Sequence, residues 1–104
     1  MPKIAHGVIW RGDTRIGYWD GGDHVQDENE NRIGWWQDGY VYRQDSTDAI
    51  GYVKDDYIYW SDGQVFGRLD WNFEHVANGD SYYPPMLCAA ITLLFGKDEG
   101  QEMY

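Results

Sequence analysis

The groups of this 104-residue chain with the chemistry for covalent or acid–base work are few: His6, His24 and His75, Ser46, Ser61 and Ser81, the single Cys88, and a recurring carboxylate. Nucleophilic catalysis needs a base within reach of an activated hydroxyl or thiol. None of the histidines stands in a recognisable triad motif. The serines all lie in turn-like contexts, and GDS at Gly79 is not the strand–turn–helix elbow of a serine hydrolase. Cys88 falls inside the apolar run MLCAAITLLF, where a cysteine acts as a small buried hydrophobe, and a lone cysteine excludes an intramolecular disulfide. His24 and His75 occupy a slot that Tyr40 and Tyr57 fill elsewhere, and read as interchangeable wall residues. Asp20, Asp38, Asp55 and Asp70 recur after a glycine motif, but nothing fixes the carboxylate separation that glycoside hydrolysis demands, and turn formation explains them. No catalytic residue is assigned, and a non-enzymatic protein is expected.

Metal chemistry was tested on DENEN, which sets Asp27, Asn29 and Asn31 at the 1-3-5 spacing of a calcium loop with Asp38 at position 12. Position 6 is Arg32, where an EF-hand requires glycine, and no flanking helices are predicted. The stretch reads as a hairpin turn. There is no Cys/His cluster for zinc and no glycine-rich phosphate loop, so neither metal nor cofactor is expected.

Binding chemistry is better supplied. Six Trp and nine Tyr are dense for this length, and such rings join large apolar area to a polar tip at low entropic cost. Strand alternation places Tyr18, Trp35 and Tyr52 on one face, joined by Tyr40, Tyr42, Tyr57, Tyr59 and His24. Two readings stay open: the rings pack between hairpins, or they form an exposed multi-ring surface. Arg15, Arg32 and Arg68 are candidate contacts for an anionic group. The formal charge of -10, from 8 basic and 18 acidic residues, disfavours nucleic acid and anionic membrane and favours a basic partner.

The elements that must carry these residues follow from a repeat. Ile16-Gly17, Ile33-Gly34, Ile50-Gly51 and Phe66-Gly67 are separated by 17, 17 and 16 residues. Inside each unit a second landmark recurs: His24-Val25, Tyr40-Val41, Tyr57-Ile58 and His75-Val76. β-Branched and aromatic runs alternate with turn clusters such as QDG, KDD and QDSTD, which predicts two short strands and two turns per unit. VIWRGDTRIG reads as the end of an earlier unit whose start is missing. No helical period is evident before about residue 83. Alternation sets Gly17, Gly34, Gly51 and Gly67 on one face with Trp19, Trp36, Val53 and Leu69, facing Val25, Val41, Ile58 and Val76. Glycine beside a large apolar residue permits close approach of a neighbour. Since one hairpin is marginal in water, several must pool their apolar faces.

On these I-G-[YW] and [YH]-[VI] landmarks, from Val8 to Val76, the chain resembles the four-fold beta flower proteins, a bacterial family of hairpin repeats. The fourth copy departs, with Phe66-Gly67-Arg68 in place of Ile-Gly-aromatic. The resemblance implies a pseudo-four-fold axis and leaves activity open. The expected fold is therefore mainly β: about four antiparallel hairpin repeats over residues 8–79 around that axis, plus one short C-terminal apolar helix over 84–95.

Pro84 and Pro85 suit the start of this helix and Gly96 its stop. Only Thr92 between them is polar, so the helix must be buried, either as a plug of the repeats or as the seam of a homodimer. Residues 97–104 form an acidic tail. The opening MPKIAHGVIW lacks the long apolar segment of a signal peptide, and the longest apolar run is about half of the ~20 residues that span a membrane. A single cytoplasmic domain is expected. Three functions fit: an acidic binder of a basic protein, as inhibitor or immunity-type proteins are; a sugar or nucleotide binder with an aromatic pocket near the repeat axis; and a structural oligomerisation domain.

Overall fold

The computed structural model describes residues 2–95. The expected helix stop at Gly96 and the acidic tail lie outside them. Nine strands follow in chain order: β1 (Lys3–Ala5), β2 (Val8–Arg11), β3 (Thr14–Tyr18), β4 (His24–Asp27), β5 (Arg32–Gln37), β6 (Tyr40–Arg43), β7 (Ala49–Lys54), β8 (Tyr57–Trp60) and β9 (Val65–Arg68). Each pairs antiparallel with the next, giving one open sheet with β1 and β9 at its edges. Two helices complete the described residues, α1 (Leu69–Ala77) and α2 (Pro85–Phe95).

Turn chemistry sets the hairpins. His6-Gly7, Asp38-Gly39 and Asp55-Asp56 all have both central residues at positive φ, as type I′ turns require to match strand twist. Two of the recurring carboxylates, Asp38 and Asp55, are thus turn residues. In DENEN, Asp27 Oδ1 accepts from the backbone N–H of Asn29 and Asn31, closing a tight loop.

The register breaks at regular intervals: between Ile9 and Trp10, Val25 and Gln26, Val41 and Tyr42, and Ile58 and Tyr59. Each break directly follows a fully buried residue, and that residue faces a glycine: Ile9 opposite Gly17, Val25 opposite Gly34, Val41 opposite Gly51, Ile58 opposite Gly67. Bulges bend a strand and sharpen its twist, so four of them curl the sheet. Matching backbone bonds tie each hairpin tip to the next strand: Trp19, Trp36, Val53 and Leu69 donate to the carbonyls of Gly7, Asp23, Gly39 and Asp56 at 2.9, 3.0, 2.8 and 2.9 Å.

Helix α2 fills the concave side. Leu87 through Phe95 are all buried within the one chain, so the helix is a plug and keeps no apolar face for a partner copy on those residues. The glycines make room for it. A Cβ at Gly51 would meet Leu93 at 2.8 Å, at Gly34 would meet Leu94 at 2.7 Å, and at Gly17 would meet Phe95 at 3.0 Å. Three glycines, one per hairpin, receive three consecutive helix residues.

Three expectations are corrected. The hairpin preceding β3 is not missing its first half: β1 supplies it, with Ile4 opposite Ile9. Residues 69–77 are helical, so His75-Val76 is not a strand landmark and Val76 is no cross-hairpin partner of a glycine. The run Leu69, Asn72, Phe73, Val76 and Ala77 has helical spacing, and its Asn72, Val76 and Ala77 are buried. Asn78 ends the helix in the left-handed region at φ 56°, its N–H bonded to Phe73 O. Helix α1 packs on α2, on β1 and on β9, lying against both free edges of the sheet where a closing hairpin is absent. The two helices are joined inside by Asn72 Nδ2 donating to Thr92 Oγ1 at 2.6 Å, both residues buried.

Candidate functional site

The outward face of the sheet carries the rings, and register decides which of them meet. Tyr40 and Tyr59 flank Tyr52 from its two neighbouring strands, β6 and β8, and His24 and Tyr42 flank Trp35 in the same way from β4 and β6. Trp35 stacks on Tyr42 with centroids 4.1 Å apart, Tyr52 stacks on Tyr59 at 4.9 Å, and Tyr40 tilts against Tyr52 at 5.7 Å. These are cross-strand pairs, and the Tyr40–Tyr52 and His24–Trp35 pairs also bridge one hairpin to the next. Packing between hairpins and exposure at the surface therefore coexist.

Tyr40, 46% exposed, is the most open of these rings. It lines, with Tyr42 and Tyr52, an outer cleft of about 890 Å³ bounded by Asp38, Asp48 and Lys54. Strand register separates the other expected members, setting Tyr57 opposite Arg68 and Tyr18 opposite Gln26. Tyr57 lies toward β9 with Arg68 over its ring at 5.9 Å, and Tyr18 lies on β3 with Arg15 over its ring at 5.9 Å. His24 is buried, its Nε2 3.1 Å from Asp20 Oδ2, so it backs the face and does not display a ring on it.

The arginines stand on β3, β5 and β9 and make separate contacts. Arg15 donates to Tyr18 Oη at 3.1 Å. Arg32 is exposed opposite Gln26. Arg68 forks onto Asp70 at 3.1 and 2.9 Å, and this hydrogen bonding holds the Asp70 carboxyl below the usual carboxylate range. Its charge is committed locally.

The remaining reactive groups have structural settings. His75, on α1, stacks on Trp71 at 3.7 Å. Burial pushes the Cys88 thiol up to about 12, the opposite of what a nucleophile needs. At Asp20 burial raises the carboxyl, but the Gly22 N–H and His24 outweigh it and the net shift is downward. Among the described residues, no group of three or more His, Cys, Asp or Glu is arranged to hold a metal ion, and no helix is long and apolar enough to cross a membrane. Leu93, Leu94 and Phe95 lie against Gly51, Gly34 and Gly17.

One cluster escaped the sequence reading. Trp19, Tyr82 and Tyr83 meet beside β1. Only a YY doublet signals it locally, since Trp19 is more than sixty residues away. No family model matches the chain, and neither a curated protein nor a solved structure shows significant similarity to it.

Proposed function

We propose that the protein is a non-enzymatic docking module that takes a basic protein partner on its outer aromatic face, as inhibitor or immunity-type proteins do. The observation that carries this reading is the Tyr40–Tyr42–Tyr52 cleft, backed by the Trp35–Tyr42 and Tyr52–Tyr59 stacks and edged by the exposed carboxylates Asp38 and Asp48. Stacked rings are pre-ordered, so little side-chain entropy is lost on binding, and rigid aromatic anchors are what interface hot spots use. The charge of -10 steers a cationic surface toward them.

The reading includes the architecture. Hairpins set around a pseudo-four-fold axis along α2 account for the glycine-to-helix contacts, with β9 and α1 as the divergent fourth unit. Kinship with the four-fold beta flower proteins and a cytoplasmic location belong to the same proposal.

The test is binding to a panel of lysine- and arginine-rich proteins, read by association rate at low and high salt. Rates should fall as salt rises, and Tyr40→Ala and Trp35→Ala should each weaken binding about tenfold or more. Affinity unchanged in both variants removes these rings as the anchor.

A further inference from the structure

A second cleft, of about 730 Å³, opens between the β1–β2 turn, the segment after β3 and the connection from α1 to α2. Its size falls in the range of small-ligand sites. Three rings wall it. Trp19 meets Tyr82 nearly edge-on at 5.9 Å and 77°, and Tyr82 meets Tyr83 at 5.1 Å and 81°. Trp19 meets Tyr83 at 5.6 Å and 58°. Rings crossed in this way turn π-faces in more than one direction, which flat stacking does not.

The cluster is held from behind. Tyr83 is buried and its hydroxyl accepts from Gly7 N–H at 3.0 Å, while the Trp19 indole donates to Gly22 O at 2.7 Å. Tyr82 is 72% exposed, the most open large apolar side chain among the described residues. A tyrosine so exposed, locked against two anchored rings, contributes little to folding and presents its ring to the cleft.

Charge decides what such a wall would hold. Asp20 and Asp80 line the cleft, and neither Lys nor Arg does; His6 is the one lining side chain able to become cationic. Asp80 Oδ1 accepts from Tyr82 N–H at 2.9 Å, which fixes the carboxylate beside the ring. Ring faces are negative at their centres and attract cations. An alkylated ammonium suits this pairing best, because its methyl groups are poorly hydrated and match the aromatic wall while its charge meets the carboxylates.

We infer that this cleft is a binding site for an alkylated ammonium group, seated on Trp19 and Tyr82 with Asp20 and Asp80 supplying the counter-charge. It shares no residue with the outer aromatic face, so either site stands if the other fails. Two sources carry the chemistry: a free choline-like molecule, or the methylated lysine of a protein.

The experiment titrates choline and its neutral carbon isostere, 3,3-dimethylbutan-1-ol, into the full chain. The readout is the Trp19 indole N–H resonance. Choline should shift it saturably and the isostere should not. Tyr82→Ala should weaken choline about tenfold, and Asp80→Asn should weaken it too, since amide oxygen still accepts from Tyr82 N–H while the charge is gone. Equal binding of choline and isostere, or no shift with either, overturns the assignment. A trimethyllysine peptide run alongside names the source: tighter binding than choline points to a protein side chain, weaker binding to the free molecule, and both uphold the ammonium chemistry.

Discussion

Gly34 lies so close beneath Leu94 that an added Cβ would stand 2.7 Å from each of its methyl carbons, and equally close to the Tyr42 carbonyl oxygen. Two constraints meet at this hydrogen atom: the backbone of the neighbouring strand β6 and the end of α2. Gly34→Ala should therefore cost about 2 kcal/mol or more, the scale of an overpacked core. Leu94→Ala in the same chain should recover part of the loss, because the side-chain clash goes and the carbonyl clash stays. Denaturant unfolding of the two single variants and the double variant measures this as a coupling energy.

Leu93 is fully buried against Gly51. Leu93→Glu places an unpaired carboxylate there and should unfold the protein, not release folded monomers from a dimer. Leu93→Ala should cost roughly 2–5 kcal/mol and leave the oligomeric state unchanged. Light scattering with circular dichroism separates the two outcomes; folded Leu93→Glu monomers would restore the seam.

The Asn72–Thr92 bond is a buried polar link between the helices. Thr92→Val keeps the shape and removes the acceptor, which should cost about 1–3 kcal/mol by taking a hydrogen bond from a buried amide. Thr92→Ser keeps the acceptor and should cost less. Hydrogen exchange should show α1 loosening first in the valine variant, since α1 lies on the sheet edges.

Cys88 gives the pH prediction. Its folded thiol is raised to about 12 by burial, above the 9.0 of an unburied thiol. Between those values the unfolded chain has lost the proton and the folded chain retains it, so stability falls with rising pH, by at most about 1.4 kcal/mol per unit. Cys88→Ala should flatten that slope. Thiol reagents at neutral pH should label the native protein only as fast as it unfolds.

The turn carboxylates separate structure from chemistry. Asp38 sits at φ 55° ahead of Gly39. Asp38→Asn and Asp38→Gly should be near neutral for stability, while Asp38→Val should cost roughly 1–2 kcal/mol from left-handed strain. Thermal melts of the three variants check the ordering.

Much of this fold was legible in the chain. The glycine interval, the Asp-Gly turns and the Pro85 start of an apolar helix are local signals, because strand pairing between neighbours, turn type and helix initiation depend on residues a few positions apart. Outward placement of Trp35, Tyr42, Tyr52 and Tyr59 followed from alternation for the same reason. Helix α1 was hidden: Leu69-Asp70-Trp71 continues the repeat pattern, and Asn72 counts as polar until its bond to Thr92 shows it belongs inside. Which rings meet was also beyond the sequence, because strand register sets Tyr18 opposite Gln26 and Tyr57 opposite Arg68, away from the Tyr40 cleft, and Asp20 lies over His24. The Trp19–Tyr82–Tyr83 cluster needed the whole fold. The sequence determined the hairpins and the plug, whose contacts are local or apolar; the tertiary structure decided which helix covers the open edges and which distant rings share a cleft, since both rest on long-range packing that no local pattern encodes.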